Sequence, residues 1–408
     1  MAAFESFTGA LPAPWAEIAE DRAACPVLHV SAPSGFQYHQ VNTYDLIREV
    51  NRRHDLFSNR MGVVPRGPED EGAQVLEFAD PPEHTLHRQL IGKAFSAARI
   101  HEKTARIQEI ADDLIDAIAA RGDTFHLRRD FARLLPSQLI AEILGVPSDE
   151  QALFIARADM VEEATGKPER SEEERENEQA FLGYCIAQLR ARIGKPQDDL
   201  LSTIVHAQVE GKKLSETEAA AMVRLLLGAG NHTTSIGISN LVHLLETHPG
   251  EKAKLLDNMD GLLSSAVEEG FRFDCPVQGN LRGVRQDTQL GGVCLKEGER
   301  VYSFYTSGNH DPEKYDRPDE FLVDRDWSKL PRHFAFGFGI HFCVGADLAR
   351  AETQIAIRSL YKRMPNLRIR PGFVPEQVPG MVFRTWREIE MEFDGPVAPR
   401  LSVASAST

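Results

Sequence analysis

The feature that most constrains this chain is a glycine-rich segment with a single cysteine near its middle. Residues 336–352 read FGFGIHFCVGADLARAE, and from Ala346 onward the apolar residues recur at helical spacing. Glycines lack a Cβ atom, which lets this loop turn sharply and approach a flat ligand. Cys343 would lie at the positive end of the following helix. That position predicts a lowered thiol pKa and a thiolate able to bind a metal.

The cysteine allows two simpler interpretations. It could be a buried thiol in a tight turn, or it could form part of a zinc site together with His341. Zinc commonly takes about four ligands in paired clusters, and the sequence offers no second cluster of cysteine and histidine. We therefore favour a metal held by one thiolate inside a loop that keeps water away.

Residues 336–350 resemble the haem-binding loop of the cytochrome P450 superfamily, F-x-x-G-x-H-x-C-x-G-x-x-L-A-R. The resemblance implies that heme b (iron protoporphyrin IX) is the cofactor and that Cys343 is the proximal thiolate ligand of its iron. It also implies that Phe336 and Gly345 contact the cofactor. A thiolate in that position pushes electron density onto the iron and favours O–O cleavage.

The fold implied by the resemblance is mainly α with small β-sheets and a long central helix over the haem. It would form a single catalytic domain over residues 1–408, with a flexible tail from about residue 397. Along the chain we expect a hairpin at 26–41 broken by Pro33-Ser34-Gly35, helices from about 84 to 273, and strands at 278–307 and 367–393.

A second long apolar stretch predicts the buried central helix. Ser215 and Glu218 form a capping box at its start. Apolar residues continue to Leu245, which gives a helix roughly 50 Å long. Its centre, residues 228–234, reads GAGNHTT, and each glycine there costs about 1 kcal/mol relative to alanine. Either the small residues allow close helix packing, or they make room for a planar cofactor and a substrate.

This centre resembles the family's small-Gly-x-acid-Thr signature. The resemblance places Ala229 beside the haem and implies that Thr233 helps to deliver protons during oxygen activation. One position departs from the signature, because His232 stands where the family has Asp or Glu. A histidine titrates near neutral pH and can shuttle protons, so His232 could sustain an altered relay, could slow it, or could point to solvent. The family geometry disfavours direct ligation of the iron by His232.

An E-x-x-R element lies further along the chain, at Glu269 and Arg272. The i, i+3 spacing puts both side chains on one face of a helix, where the simplest interpretation is a solvated ion pair. By resemblance the pair is structural instead, and it ties its helix to the segment that carries Arg325.

Residues 80–88 resemble the family's D-P-P-x-H-x-x-x-R stretch. The i, i+4 spacing of His84 and Arg88 places both on one helical face. Haem carries two propionates, which cations bind through strong charge-assisted hydrogen bonds. The resemblance implies that His84, Arg88, Arg282 and His341 bind these propionates, although each alone would be taken for an ordinary surface charge.

Composition narrows the class of protein. Of the 408 residues, 42% are hydrophobic and 26% charged, as in an ordinary globular protein. The net charge of −15 argues against nucleic-acid binding. No run approaches the roughly 18 apolar residues of a membrane span, and the N-terminus lacks a signal pattern. The five scattered cysteines indicate a reducing compartment. We therefore expect a cytoplasmic protein without a membrane partner.

The chain lacks flavin, nicotinamide and iron–sulfur motifs, so electrons would come from a separate ferredoxin-type donor and its reductase. A cluster of basic residues could form the docking patch for an acidic ferredoxin. They could also be scattered helix-surface charges. The residues are Arg88, Lys93, Arg99, Lys103 and Arg106.

The function implied by the resemblance is a haem-thiolate monooxygenase that inserts one atom of O2 into a small hydrophobic substrate by hydroxylation or epoxidation. An H2O2-driven peroxygenase is an alternative, although that subgroup replaces the acid–threonine pair with Arg–Pro and Thr233 is kept here. A second alternative is a non-catalytic haem-thiolate protein that binds or senses a ligand. The substrate contacts implied are Leu226, Gly230, Val277, Asn280 and Val382, with further lining from Met61, Val63, Val64, Met160, Val161, Ala164, Met381 and Phe383.

Overall fold

The computed structural model describes residues 14–32, 35–64, 74–92, 94–164, 171–208 and 211–401. The α-helices are α1 (Trp15–Ala24), α2 (Tyr44–Arg52), α3 (Glu83–Gly92), α4 (Ala97–Ala119), α5 (Leu134–Leu144), α6 (Gln151–Ala164), α7 (Glu172–Ile193), α8 (Leu200–His206), α9 (Glu216–Thr247), α10 (Pro249–Asp257), α11 (Met259–Phe273), α12 (Tyr305–Asn309) and α13 (Ala346–Arg363). The β-strands are β1 (Val27–Ser31), β2 (Gln37–Val41), β3 (Phe57–Ser58), β4 (Thr124–His126), β5 (Gly279–Val284), β6 (Thr288–Leu290), β7 (Val293–Leu295), β8 (Arg300–Phe304), β9 (Arg368–Ile369), β10 (Gln377–Val378), β11 (Thr385–Trp386) and β12 (Glu390–Glu392).

The central helix α9 has 32 residues and begins at the predicted capping box. The backbone N–H of Glu218 donates to the Ser215 hydroxyl at 3.2 Å, and the Glu218 carboxylate accepts from the Ser215 N–H at 2.8 Å. Both bonds satisfy groups that the first helical turn would leave without partners. The helix ends at Thr247, and Pro249 begins α10 because proline fits the first turn of a helix.

Helices α5, α7, α11 and α13 pack around α9, which is why it is apolar on most sides. The buried side chains of these helices, together with those of α4, form one large apolar cluster. The prediction of a mainly helical fold with a long, buried central helix is confirmed. No helix in the described part of the chain is both long and apolar enough to cross a membrane.

The strands form small sheets beside the helices. The largest has the order β1-β2-β8-β5-β3 and contains the predicted hairpin, in which Val27 pairs with Val41 in antiparallel register. Pro33 and Ser34, in the predicted turn, lie outside the described residues. Strand β5 runs antiparallel to β8 and places Asn280 opposite Ser303. This sheet therefore brings β5 to the edge of the cavity described below.

Residues 397–401, the described part of the segment predicted to be a flexible tail, contact the rest of the chain. The Ala398 N–H donates to the Arg363 carbonyl at 2.7 Å, and the Arg400 guanidinium bonds Asp113 and Asp116 on α4. These contacts place Ala398 beside the end of α13 and Arg400 beside α4. Residues 402–408 lie outside the described residues.

Candidate functional site

A cavity of about 590 Å³ lies between the centre of α9 and the cysteine loop. Predicted site residues meet in it from distant parts of the chain. The cofactor candidates on its wall are His84, Arg88, Ala229, Arg282, Phe336, His341, Cys343 and Gly345, and the catalytic and substrate candidates are Leu226, Gly230, Thr233, Val277, Asn280 and Val382.

The cysteine loop has a backbone geometry that favours glycine at two positions. Gly337 and Gly339 have φ angles of 67° and 73°, in the left-handed region. A Cβ atom on Gly339 would lie 2.3 Å from the carbonyl oxygen of Asn51, so no larger residue fits there. The Cys343 N–H donates to the Phe336 carbonyl at 2.8 Å, which closes the loop and directs the sulfur into the cavity.

The charge state of Cys343 differs from the sequence expectation. The side chain is open to the cavity but lies deep within the protein, and burial raises the pKa of its thiol. A backbone hydrogen bond from Gly345 and the positive charge of Arg88 oppose this rise without overcoming it. The dipole of α13 therefore does not by itself produce a thiolate. Binding of a cation would displace the proton, as it does when metals bind thiols.

An ion-pair network centred on Glu268 stabilises the residues on both sides of the cysteine loop. The Glu268 carboxylate accepts hydrogen bonds from Arg350 at 2.5 Å and His333 at 3.1 Å. Burial alone would raise the pKa of Glu268, but these two partners lower it to about 2. The Arg350 guanidinium also lies 4.4 Å from the ring centroid of Phe336. Sequence analysis assigned no role to Glu268 or His333, because nothing local to them signals a contact with the loop.

Four predicted propionate-binding residues converge on one side of the cavity. The rings of His84 and His341 lie 4.2 Å apart, and Arg282 donates to Asn51 at 3.1 Å. Burial, aided by the positive charges of neighbours, lowers the pKa of His341 to about 2 and that of His84 to about 4. Burial also lowers the pKa of Arg88. The group is therefore a cluster of nitrogen donors in which burial disfavours the positive forms of His84, His341 and Arg88.

This cluster fits the carboxylates of a haem. The Nε2 atom of His341 is buried without a hydrogen-bond partner. In the part of the chain that is described, none of the four side chains bonds a carboxylate. Two propionates would supply acceptors for these donors and would restore the charge that burial disfavours. The cavity is thus lined by the Cys343 thiol and, in addition, by side chains that can bind anions.

The opposite wall is the small-residue centre of α9. A Cβ atom on Gly228 would meet nothing within 4 Å, so this glycine is not required for close helix packing. The Thr233 hydroxyl donates to the Ala229 carbonyl at 2.8 Å, and both residues line the cavity. The geometry favours the interpretation in which these residues make room for a cofactor and substrate.

His232 is the predicted site residue that the structure does not bring to the cavity wall. Its ring meets the Phe383 ring edge-on at 4.7 Å between centroids. Burial, with Arg128 and Arg133 nearby, lowers the pKa of His232 to about 3, so its imidazole is neutral at neutral pH. It is therefore neither beside Thr233 in the cavity nor a source of imidazolium protons.

The other residues that line the cavity differ in part from those predicted as substrate contacts. Val63, Val64, Val161 and Phe383 line the cavity, whereas Met61, Met160 and Met381 do not, and the Ala164 side chain lies outside the described ones. Four charged residues that were not predicted also line the cavity. These are Glu178 and Arg224, whose side chains lie 3.8 Å apart, Glu77 and Glu352.

The E-x-x-R pair is buried. The Arg272 guanidinium donates two hydrogen bonds to Glu269, both at 2.8 Å, and Arg325 donates a third to the same carboxylate at 2.8 Å. Arg272 also donates to the carbonyls of Asn309 and Pro318 at 2.8 Å each. The three residues therefore tie α11 to the segment that precedes the cysteine loop, as the resemblance implied.

No group of three or more His, Cys, Asp or Glu side chains suited to a metal occurs among the residues that can be described. The five cysteines are all unpaired. The described residues therefore provide no further ligands that could bind a zinc ion together with Cys343.

Comparisons with known proteins agree with the site. The family model Cytochrome P450 matches residues 169–364. Cytochrome P450 107B1 of Saccharopolyspora erythraea is 37% identical over 328 residues, 79% of this chain and 78% of that protein. Vitamin D(3) 25-hydroxylase of Pseudonocardia autotrophica is 34% identical over 361 residues, 86% of each chain. The structure of CYP109Q5 from Chondromyces apiculatus matches with a TM-score of 0.84 and 30% identity, over 94% of this chain and 96% of that one. The chain belongs to the cytochrome P450 family and is a P450 monooxygenase.

Proposed function

We propose that this chain acts as a single catalytic domain that inserts one oxygen atom from O2 into a small hydrophobic molecule, by hydroxylation or epoxidation, with heme b as cofactor. The observation that carries the proposal is the cavity that contains both Cys343 and Thr233 and has largely apolar walls. Electrons would come from a separate ferredoxin and its reductase. Purified protein is expected to be coloured and to contain one haem per chain, which pigment analysis would test.

Different residues of the chain have different roles in the proposed reaction. Bound haem supplies the redox chemistry that activates O2. His84, Arg88, Arg282 and His341 would hold its carboxylates, and Cys343 would supply a sulfur ligand to its iron. The apolar side chains of α9 exclude water, while the Thr233 hydroxyl stays anchored to the Ala229 carbonyl and can hold a proton within the cavity.

The proposed substrate is a small to medium apolar molecule of the terpenoid, steroid, aromatic or alkyl class. The apolar wall residues Leu226, Val277 and Val382 support this proposal. The vitamin D(3) 25-hydroxylase relative also favours a ligand of steroid size. Titration with a panel of such compounds, read as shifts in the haem spectrum, would identify the class that binds.

Thr233→Ala is expected to uncouple electron consumption from product formation by about tenfold or more, because general acid–base groups typically contribute at least that much. The measurement is product formed and hydrogen peroxide released per electron consumed. Thr247→Ala is the matched control, since Thr247 makes the same bond to a carbonyl four residues earlier at 2.8 Å in the same helix. Unchanged coupling in the Thr233 variant would remove Thr233 from the proton-delivery route.

The basic patch predicted for ferredoxin needs revision. Arg88 lines the cavity, Arg106 bonds Glu142 and Glu109, Arg99 bonds Glu102, and Lys93 lies outside the described residues. Arg88 is thus half-buried, Arg99 and Arg106 are paired with acidic neighbours, and Lys103 is exposed. The described members of this group therefore do not form a free positive surface.

Two other arginines are better placed to bind an acidic electron donor such as a ferredoxin. Exposed Arg332 lies 5.7 Å from the ring centroid of Phe342, next to Cys343, and exposed Arg52 lies 5.3 Å from that of Phe338. Both guanidinium groups therefore sit over phenylalanines of the cysteine loop. We propose that they flank the face where the ferredoxin docks, since this loop is the shortest path to the metal.

Arg332→Glu is expected to slow reduction by a ferredoxin about tenfold at low ionic strength and to flatten its dependence on salt, because electrostatic steering raises association rates by about 10–1,000-fold. Stopped-flow reduction measures the rate. Lys296→Glu, at an exposed residue directly after β7, is the control with the same change of charge. Equal rates for both variants would exclude this docking face.

One experiment separates the monooxygenase from its two alternatives. Product is measured first with a ferredoxin system and O2, and then with H2O2 alone. Efficient turnover only with ferredoxin supports the monooxygenase, while efficient turnover with peroxide alone supports a peroxygenase. Ligand binding without turnover in either system supports a non-catalytic binder.

A further inference from the structure

A pair of opposite charges lies in the part of the cavity wall that α6, α7 and α9 form. Arg224 on α9 and Glu178 on α7 both line the cavity, and the Nη1 atom of the arginine lies 3.8 Å from the Oε1 atom of the glutamate. The other wall residues that α6 and α7 contribute, among those described, are the apolar Ala158, Val161 and Phe181. The pair therefore places one hydrogen-bond donor and one acceptor in apolar surroundings.

The separation of the two side chains leaves room for a ligand atom between them. A distance of 3.8 Å is too long for a hydrogen bond between Arg224 and Glu178. A ligand oxygen can lie within about 2.8 Å of both atoms at once, which is an ordinary hydrogen-bond distance. Glu178 has a further interaction of its own. A carboxylate offers about four acceptor positions, however, so Glu178 can accept one more hydrogen bond.

The charges of the pair select the kind of ligand group. A carboxylate would be attracted by Arg224 but repelled by Glu178, and an ammonium group would be repelled by Arg224. A hydroxyl group is neutral, accepts through its oxygen and donates its proton. Hydrogen bonds to ionised partners are stronger than those between neutral groups. A hydroxyl group therefore gains from both members of the pair, whereas a charged group gains from only one.

The pair lies far along α9 from the residues of the proposed reaction. Nine residues separate Arg224 from Thr233, which corresponds to about 13 Å along the helix axis. Gly228 follows Arg224 by four residues on the same helical face, and a Cβ atom there would meet nothing within 4 Å. Cys343 lines the same cavity. A molecule anchored at Arg224 can therefore extend past Gly228 toward Thr233 and Cys343.

We propose that Arg224 and Glu178 form a subsite for a terminal hydroxyl group, and that the substrate is an elongated apolar alcohol oxidised at the end remote from that hydroxyl. Arg224 donates to the hydroxyl oxygen and Glu178 accepts the hydroxyl proton, so no covalent bond changes at the subsite. The pair determines which end of the substrate faces Cys343.

This inference rests on the proposed monooxygenase function for the reaction, although not for binding. One atom of O2 enters a C–H bond at the remote end of the substrate. The other atom leaves as water, with two electrons from the donor protein and two protons from solvent.

Three probes of equal chain length test the chemistry of the subsite, namely dodecane, dodecanol and dodecanoate. Titration of the haem-loaded protein, followed by the haem spectrum and by calorimetry, gives their dissociation constants. Arg224→Leu is expected to weaken the binding of dodecanol about tenfold or more, because a hydrogen bond to a charged group is lost. The same variant is expected to leave the binding of dodecane unchanged, and Arg224→Lys is expected to restore part of the affinity for dodecanol.

Arg190→Leu is the matched control, because Arg190 pairs with Glu216 between the same two helices and does not line the cavity. If Arg224→Leu lost haem, Glu178→Leu would decide, since it removes the acceptor of the hydroxyl proton. Wild-type affinity for dodecanol in these variants would overturn the subsite. Tighter binding of dodecanoate than of dodecanol would also overturn the proposal and would identify an anion site. Failure of dodecanol to bind the wild type would overturn it as well.

The position of oxygen insertion distinguishes this proposal from the function on which it rests. The wild type is expected to oxidise dodecanol at carbons remote from the hydroxyl, and Arg224→Leu is expected to spread the products along the chain. The same product distribution in both proteins would overturn the role of Arg224 and leave the monooxygenase standing. Absence of product from the wild type with ferredoxin and O2 would overturn the proposed function, while the dissociation constants would still test the subsite.

Discussion

Cys343→Ser is expected to abolish the carbon-monoxide absorption band that is characteristic of a thiolate-ligated haem. Serine has nearly the same shape, and the loop closure through the Cys343 N–H and the Phe336 carbonyl would remain. The hydroxyl group, however, is a far weaker acid than the thiol and does not give the iron the electron density of a thiolate. Product formation is therefore expected to fall to background with the band.

The measurement is the difference spectrum of the reduced protein with and without carbon monoxide. Cys294→Ser is the control, because Cys294 is an exposed, unpaired cysteine on β7. Haem content is measured in parallel, so that loss of the cofactor and loss of the sulfur ligand can be told apart. A Cys343→Ser protein that binds haem and keeps the band would show that another residue ligates the iron.

The site was predictable where a local pattern fixes the geometry. The cysteine loop could be inferred because Gly337 and Gly339 both have positive φ angles and because the backbone of Asn51 leaves no room for a Cβ atom on Gly339. The position of α9 followed from its apolar composition and its capping box. The bonds from Arg272 and Arg325 to Glu269 could be anticipated only through the resemblance, since the residues are far apart in the sequence.

Other features depended on tertiary packing and left no local signal. The sequence places Cys343 at a helix start, which suggests a low thiol pKa, but burial reverses the direction of the shift. His232 neighbours Thr233 in the chain and yet faces Phe383, because adjacent residues on a helix point in different directions. Glu352 occupies an ordinary place in an amphipathic helix, and only the fold shows that it is buried without a partner.

Glu269→Ala is expected to lower the free energy of unfolding by about 3–5 kcal/mol, the usual cost of breaking a buried ion pair by removing one partner. Glu269 and Arg272 are both fully buried, and Arg325 shares the same carboxylate. Removal of Glu269 leaves two guanidinium groups without their counter-charge. It also removes the acceptor of the Leu322 N–H, which lies 3.1 Å from the carboxylate.

Urea unfolding, followed by circular dichroism and by the haem spectrum, measures this effect. Glu172→Ala is the control, because the pair between Glu172 and Arg175 is largely exposed and such pairs contribute little. Haem release is expected at a lower urea concentration in the Glu269 variant, since Arg272 and Arg325 anchor the segment that leads into the cysteine loop. Equal midpoints for both variants would show that the chain tolerates two unpaired buried cations, and the E-x-x-R element would then have no structural role here.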